Sequence, residues 1–153
     1  MIRLVRTDSG NPDFIALVKL LDAELAIRDG DDHAFYDQFN KIDMIKNAVV
    51  VYENDRAIAC GALKAFQPGA MEIKRMYTLP DHRGKGVASA ILAELEHWTA
   101  DLSYEKCVLE TGINQPEAIA LYKKSGYRQI PNYGQYTGVE TSLCFEKRVR
   151  MVE

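Results

Sequence analysis

The sequence contains few of the residues that build metal centres or disulfide-bonded folds. Its 153 residues include three cysteines, Cys60, Cys107 and Cys144, and no two of them form a Cys-x-x-Cys pair. Each cysteine lies in an apolar stretch, which favours a buried thiol in a reducing compartment over a catalytic or metal-binding one. The three histidines show no metal-ligand spacing either. We therefore predict a protein without a metal site.

The chain also lacks a basic segment and a long apolar run. The formal net charge is −3 and the isoelectric point about 5.7, and no cluster of Lys and Arg marks a nucleic-acid surface. No apolar stretch approaches the roughly 20 residues that a membrane span requires. The N-terminal segment MIRLVRTDSG has no apolar region of the kind found in signal peptides. We expect a cytoplasmic protein that binds neither nucleic acid nor a membrane.

Length and composition fit one compact domain over residues 1–153. Hydrophobic residues make up 47% of the chain and charged residues 27%, which is ordinary for a soluble globular protein. No internal repeat, low-complexity tract or linker divides the sequence. It therefore has enough apolar side chains for a real core.

The first half predicts a helical pair followed by an antiparallel meander. A short strand begins at Ile2, and Asn11-Pro12 supplies a capping side chain and a proline at the first helical position. That helix ends before Gly30, and a second, less apolar helix follows. By number, the second helix covers 31–40 and the three meander strands cover 48–52, 57–66 and 71–79.

The hydrophobic period then changes from that of a strand to that of a helix. A helix begins at Gly86, and another runs from Pro116 to a stop at Gly126. Strands are predicted over 107–109, 127–130 and 143–149. A meander combined with one strand–helix–strand crossover predicts an α+β fold around a mixed sheet.

Two glycines mark the turn before the helix at Gly86. The segment is Arg83-Gly84-Lys85-Gly86-Val87-Ala88. A helix start has free backbone N–H groups and a partial positive charge, and glycine lets an anion approach the backbone closely. These features suit a pyrophosphate, although the same glycines would also simply shape a turn. The segment matches neither the Walker A loop nor the dinucleotide fingerprint, which has glycine where this chain has Ser89.

Two separate segments resemble motifs of the GNAT acetyltransferase superfamily. The glycine segment is similar to the family pattern R/Q-x-x-G-x-G/A, with Arg83, Gly86 and Ala88 at the defined positions. Residues 118–127, AIALYKKSGY, are similar to the family pattern A-x-x-L-Y-x-x-x-G-F/Y. The predicted element order also agrees from residue 2 to residue 149. The resemblance therefore covers nearly the whole chain.

The resemblance implies a GNAT-like mixed, mostly antiparallel sheet with splayed fourth and fifth strands and helices on both faces. It also implies that acetyl-CoA is the co-substrate and that the gap between those strands holds its pantetheine arm. Backbone groups of Met76, Tyr77 and Thr78 would bind that arm. The pyrophosphate would be bound by the amides of the glycine segment: Arg83, Gly84, Lys85, Gly86, Val87 and Ala88.

One position departs from the family pattern. Many members carry Asn seven residues before the helix tyrosine, whereas this chain has Gln115 there and Asn114 one residue earlier. Glutamine also carries an amide group that donates and accepts hydrogen bonds. We therefore expect Gln115 to contact the cofactor.

The resemblance also suggests the groups that move protons. Tyr122 matches the family tyrosine that protonates the leaving thiolate, although its spacing alone also fits a core tyrosine. Glu72 resembles the base of histone-type members, and Glu110 resembles the base of members that acetylate ribosomal-protein N-termini. Each carboxylate could instead be a solvated strand residue, with a water chain deprotonating the amine. Of the two, the sequence favours Glu72.

Two segments would form the walls of the acceptor site in this family, 28–40 and 131–141. Both combine polar or acidic residues with aromatic rings, which suits a cationic or amphipathic small molecule. An alternative is a charged helix start and a tyrosine-bearing turn. The residues expected to shape the acceptor site are Asp31, Asp32, Tyr36, Asp37, Phe39, Tyr133 and Tyr136.

These observations predict an N-acetyltransferase that moves an acetyl group to a primary amine by direct transfer in a ternary complex. The expected acceptor is a small molecule, and the expected assembly is a monomer or a homodimer. The alternatives are an acyl-CoA-binding regulatory module without turnover and an enzyme that acts on a protein or peptide amine.

Overall fold

The computed structural model describes residues 1–30 and 45–150. Seven strands in this part of the chain form one sheet: β1 Ile2–Thr7, β2 Asn47–Glu53, β3 Arg56–Gln67, β4 Ala70–Thr78, β5 Lys106–Gly112, β6 Arg128–Ile130 and β7 Ser142–Arg148. Three α-helices accompany them: α1 Pro12–Asp29, α2 Val87–Asp101 and α3 Pro116–Lys124. The helix predicted over 31–40 lies outside the described residues.

The strands follow the order β1-β2-β3-β4-β5-β7-β6 across the sheet. Every neighbouring pair is antiparallel except β4 and β5, which pair in parallel. Strands β2, β3 and β4 form the predicted meander, and α2 makes the crossover from β4 to β5. The prediction of an α+β fold with a mixed, mostly antiparallel sheet is confirmed.

The parallel strands β4 and β5 pair only at their beginnings. Ala70–Glu72 pairs with Lys106–Val108, whereas β4 continues to Thr78 and β5 to Gly112. The later parts of the two strands diverge. The prediction that the fourth and fifth strands splay is therefore also confirmed.

A bulge at Arg75 interrupts the diverging part of β4. The register of β4 against β3 shifts between Cys60 and Ala62, and Arg75 has a positive φ of 60°. Its buried side chain donates a hydrogen bond to Asp22 on α1, with 3.1 Å between NH1 and Oδ1. A bulge bends the strand that carries it, so α1 holds β4 at its point of irregularity.

Helices pack on both faces of the sheet, as predicted. Val49 and Val51 of β2 belong to the core cluster that contains α2 and α3 residues. Ala48 and Val50, which alternate with them, pack with residues of α1 instead. Alternation along a strand sends successive side chains to opposite faces, so α1 lies on one face and α2 and α3 on the other.

The three cysteines are buried and free, as the sequence predicted. Burial raises the pKa of Cys60 to about 12 and those of Cys107 and Cys144 to about 11. Because the thiolate is the nucleophilic form, these thiols are inert near neutral pH.

Candidate active site

A cleft of about 660 Å³ follows the gap between β4 and β5. Residues from α1, the turn after β4, the end of β5 and the start of α3 complete its lining. Of the predicted catalytic and cofactor-binding residues, Lys85 alone is not in the lining. The others all line the cleft: Glu72, Met76, Tyr77, Thr78, Arg83, Gly84, Gly86, Val87, Ala88, Glu110, Gln115 and Tyr122.

The glycine turn has the conformation that only glycine adopts without strain. Gly84 has φ 76° and Gly86, the N-cap of α2, has φ 84°. Among the described residues, no atom lies within 4 Å of a Cβ atom built on either glycine, and no side chain there caps the first amides of α2. Backbone donors therefore border open space at the start of a helix, which is the arrangement that binds anions.

Arg83 is held at the wall of the cleft by two contacts. Its Nε donates to the backbone carbonyl of Thr78 at 2.8 Å, and NH2 donates to Oε1 of Glu24 at 2.9 Å. The guanidinium carbon also lies 5.4 Å from the centroid of the Tyr77 ring. The cation is thus fixed beside the glycine turn.

His82 connects the same turn to the end of β2. Its Nδ1 lies 3.0 Å from Oδ1 of Asp81, and its Nε2 lies 3.2 Å from Oε1 of Glu53. The residue is buried and lines the cleft. No sequence pattern indicated these contacts, because His82 belongs to no motif.

Gln115 lies at the N-cap position of α3 and faces α1. Arg28 NH1 donates to Oε1 of Gln115 at 3.0 Å and to Oε2 of Glu117 at 2.7 Å. The amide nitrogen Nε2 of Gln115 is buried and has no hydrogen-bond partner within residues 1–30 and 45–150. A buried donor without a partner is uncommon in folded proteins, and this one belongs to a residue that lines the cleft.

Tyr122 combines a place in the core with a place in the cleft. Its side chain is 6% exposed, and its ring contacts those of Tyr127 and Phe145, with centroids 5.9 and 6.3 Å away. Burial, and then the nearby Glu110 carboxylate, raise the pKa of Tyr122 well above its usual value near 10. The hydroxyl therefore keeps its proton at neutral pH.

Glu72 is buried and held by two partners. Its Oε2 accepts a hydrogen bond from the Tyr133 hydroxyl at 2.7 Å, and its Oε1 lies 3.5 Å from Nζ of Lys74. The Tyr133 ring packs against Phe66 with centroids 4.6 Å apart. Residues of the loop before β7 thus reach the carboxylate near the start of β4.

Glu110 lies on β5 and, like Glu72 on β4, lines the cleft. Its Oε2 accepts a hydrogen bond from the Ser142 hydroxyl at 2.7 Å. Burial, then the carboxylates of Glu110 and Glu72, raise the pKa of Tyr136. Tyr136 is buried and lines the cleft, so both carboxylates and this ring occupy one end of the site.

Of the seven residues predicted to shape the acceptor site, Tyr133 and Tyr136 lie within the described part of the chain. Tyr133 and Tyr136 lie together, with ring centroids 6.0 Å apart, next to the carboxylates. The acidic and aromatic residues predicted from the other segment lie outside the described residues: Asp31, Asp32, Tyr36, Asp37 and Phe39.

Arg28, the first residue of the predicted acceptor segment 28–40, lines the cleft. The sequence pattern did not indicate that Leu21, Glu24 and Leu25 of α1 also line it. Leu21 and Leu25 belong to the apolar stripe that predicted the helix, and Glu24 and Arg28 follow at helical spacing on the same side. Charged residues within the apolar stripe of a helix were therefore the pattern that could have indicated a cleft-lining helix.

Neither a metal centre nor a membrane helix is found in the described residues. Within 1–30 and 45–150, no group of three His, Cys, Asp or Glu side chains is arranged to hold a metal ion. None of the helices described there is long and apolar enough to cross a membrane.

Known proteins resemble this chain in sequence and in fold. A model of the acetyltransferase (GNAT) family matches residues 15–127. The chain is 31% identical over 100 residues to an IAA acetyltransferase of Azospirillum brasilense, and the match covers 65% of each protein. The chain spans between 50 and 66% of the length of two other curated relatives, from Schizosaccharomyces pombe and Bacillus subtilis.

Two solved structures have the same fold over nearly their full length. A Klebsiella pneumoniae protein assigned to the acyl-CoA N-acyltransferases has a TM-score of 0.82 at 28% identity, covering 98% of this chain and 99% of that one. A GNAT family acetyltransferase from Elizabethkingia anophelis, solved with acetyl-CoA bound, has a TM-score of 0.69 at 18% identity, covering 96% and 97%. Together with the splayed sheet, these matches establish that the chain belongs to the acetyltransferase (GNAT) family of acyltransferase enzymes.

Proposed function

We propose that this chain transfers an acetyl group from acetyl-CoA to a primary amine of a small molecule, by direct transfer in a ternary complex. One observation carries the proposal. A single cleft is lined at one end by the glycine turn and at the other by Glu72, Glu110 and Tyr122. An anion site and a set of acid–base groups are thus connected by one gap in the sheet. We propose that residues 1–153 form one domain for this activity.

The residues present fit coenzyme A. The open space at Gly84 and Gly86 would admit a pyrophosphate to the free amides of α2, with Arg83 beside it. Backbone groups of β4 from Met76 to Thr78 line the gap and would pair with the pantetheine amides as an added strand does. When bound, acetyl-CoA supplies an acyl group activated as a thioester.

Tyr122 would supply the proton for the leaving sulfur. A phenol that stays protonated at neutral pH is a donor, and the burial of Tyr122 ensures that state. The nearby carboxylate of Glu110 works in the same direction, since it disfavours a phenolate. The hydroxyl is therefore protonated when acyl transfer begins, and its proton would pass to the sulfur as the bond between sulfur and the acyl carbon breaks.

A carboxylate would accept the proton that the amine must lose before it attacks. A lysine-like amine has a pKa near 10 and arrives as an ammonium ion. Glu72 and Glu110 are both near Tyr136 in the cleft, since both carboxylates raise the pKa of that residue. Either carboxylate would attract the cation and take its proton, directly or through water.

Bulky rings favour a small acceptor over a folded protein. Tyr133 and Tyr136 pack edge to face beside the carboxylates. Tyr136 is buried and lines the cleft, and the partly buried Tyr133 packs against it. A cleft lined by a bulky ring and a few polar groups suits metabolites. A stable protein partner would instead need a contact patch of about 800 Å² on each side.

A thiol-release assay against a panel of amines tests the function itself. We expect thiol release from acetyl-CoA to rise well above the amine-free rate with particular small primary amines. Labelled acetyl-CoA should then yield an acetylated metabolite from a small-molecule fraction. Site-specific labelling of one protein in a cell extract, with no metabolite product, would show a protein acceptor. Binding of CoA without turnover on any amine would show a regulatory module.

Substitution of Gly86 tests the anion site. In Gly86→Val the side chain enters the open space at the start of α2, so phosphate oxygens can no longer reach the amides. Hydrogen bonds to charged groups are worth about 1.5–3 kcal/mol each, and we expect CoA affinity by calorimetry to fall at least roughly tenfold.

The matched control is Gly138→Val. Gly138 has a similar φ of 78° and open space around its Cβ position, but it is not in the cleft lining. It should impose the same backbone strain without changing CoA affinity. Equal losses in the two variants would move the anion site away from the glycine turn.

Tyr122→Phe tests proton donation to the leaving group. A positioned acid–base group contributes roughly 10²–10⁴-fold to a rate, so kcat should fall by about that factor while CoA affinity stays near wild type. Tyr127→Phe is the control, because it also removes a buried hydroxyl, one that donates to Glu96 at 3.0 Å. Wild-type turnover in Tyr122→Phe would remove this residue from the mechanism.

Two amide substitutions identify the base. We expect one of Glu72→Gln and Glu110→Gln to lose much more kcat than the other, together with the acidic limb of its pH–rate profile. Glu146→Gln is the control, because this carboxylate is also ion-paired, at 3.2 Å from Lys106, but lies outside the cleft lining. Small and equal losses at Glu72 and Glu110 would indicate deprotonation through water.

A further inference from the structure

The last turn of α1 contacts the first turn of α3 through one side chain. Arg28 NH1 lies 3.0 Å from Oε1 of Gln115 and 2.7 Å from Oε2 of Glu117. The side chain of Glu117 is 70% exposed, whereas that of Arg28 is 26% exposed. An exposed ion pair contributes little to stability, whereas the contact with Gln115 involves a side chain whose amide nitrogen is buried.

The contact with Arg28 decides which way the Gln115 amide faces. A guanidinium has only N–H donors and accepts no hydrogen bond, so the group facing it must be the amide oxygen. The nitrogen Nε2 is then directed away from Arg28. Nε2 is buried and has no partner in the part of the chain that the structure describes, and a buried donor in that state is unfavourable until an acceptor reaches it.

The lining of the cleft indicates where an acceptor would come from. Gln115, Arg28 and the glycine turn all line the same cavity. A ligand held there would bring oxygen atoms close to Gln115, whose Nε2 has no partner among the described residues. Because the amide is already oriented, no free energy is needed to turn it when the ligand binds.

We propose that Arg28 is a positioning residue that fixes the Gln115 amide with Nε2 as the donor to an acceptor oxygen of acyl-CoA. The oxygen is an amide carbonyl of the pantetheine arm or a phosphate oxygen. This inference rests on the proposed function. It adds a role for a residue of α1 that is 87 positions away from Gln115 in the sequence.

A double-mutant cycle measured by calorimetry with CoA tests this role. We expect Arg28→Met and Gln115→Ala each to weaken CoA binding by roughly tenfold, and the double variant to bind no more weakly than either single one. The KM for acetyl-CoA should rise in Arg28→Met while kcat at saturation stays unchanged. If the two single losses multiply in the double variant, Arg28 acts independently as a positive charge, and the inference is wrong.

Two further variants separate positioning from structural support. Glu117→Ala removes the shorter of two ion pairs of Arg28 and keeps its contacts with Gln115 and Glu24. Because the variant only takes a carboxylate from the lining of a cleft proposed to bind an anion, CoA affinity should not fall. Gln115→Glu keeps a partner for Arg28 but replaces the donor Nε2 with an oxygen, so CoA affinity should fall even though the fold is retained. A loss in Glu117→Ala equal to that in Arg28→Met, or wild-type affinity in Gln115→Glu, would overturn the inference.

A shorter ligand distinguishes an oxygen of the pantetheine arm from a phosphate oxygen. ADP has a pyrophosphate but no pantetheine arm. Unchanged ADP affinity in Arg28→Met would place the contact on the arm, and a parallel loss would place it on a phosphate.

The failure of the positioning role can be told from the failure of the proposed function. If the wild-type protein bound no CoA, the proposed function would fail. If it bound CoA and Arg28→Met bound it equally well, only the positioning role would fail.

Discussion

The cleft depends on the point at which β4 and β5 stop pairing. Hydrogen bonds join the two strands only as far as Glu72 and Val108, and beyond these residues their facing edges diverge. Backbone N–H and C=O groups at such edges require partners, which an extended ligand between the strands would supply. The same divergence lets side chains from both faces of the sheet line one cavity. Glu110 approaches Tyr122 in this way, although Tyr122 packs in the core on the α2 and α3 face.

The irregular part of β4 explains why α1 forms a wall of the cleft. Arg75 has a left-handed conformation, which is costly for a residue other than glycine. Its guanidinium is buried and bonded to Asp22, so the charge stays favourable only while α1 remains in contact with β4. That contact brings the following turns of α1 over the cleft, where Glu24 meets Arg83 and Arg28 meets Gln115. Strain in one strand is thus offset by contacts that also build the site.

Local pattern in the sequence was sufficient for the elements but not for the contacts between them. The change of period at Gly86 predicted the start of α2, and Pro116 predicted the start of α3, because both signals lie within the elements they define. The bond from Arg83 to Glu24 joins residues 59 positions apart, and the bond from Tyr133 to Glu72 joins residues 61 apart. No periodicity encodes such pairs. The predicted site residues came from family resemblance, so the resemblance could indicate Gln115 but not the arginine that orients its amide.

Tyr122 lies both in the core and in the lining of the cleft, so its core position does not exclude the role proposed for it. Its spacing in α3 fits a buried tyrosine, and the structure places it in the main core beside Phe145. That burial removes water from the hydroxyl and, with the nearby Glu110, raises the pKa of the phenol. A solvated phenol would exchange hydrogen bonds with water, whereas a desolvated one in the cleft can donate only to what enters beside it. The packing that stabilises the fold is therefore also what would keep the proton on Tyr122 until a leaving thiolate arrives.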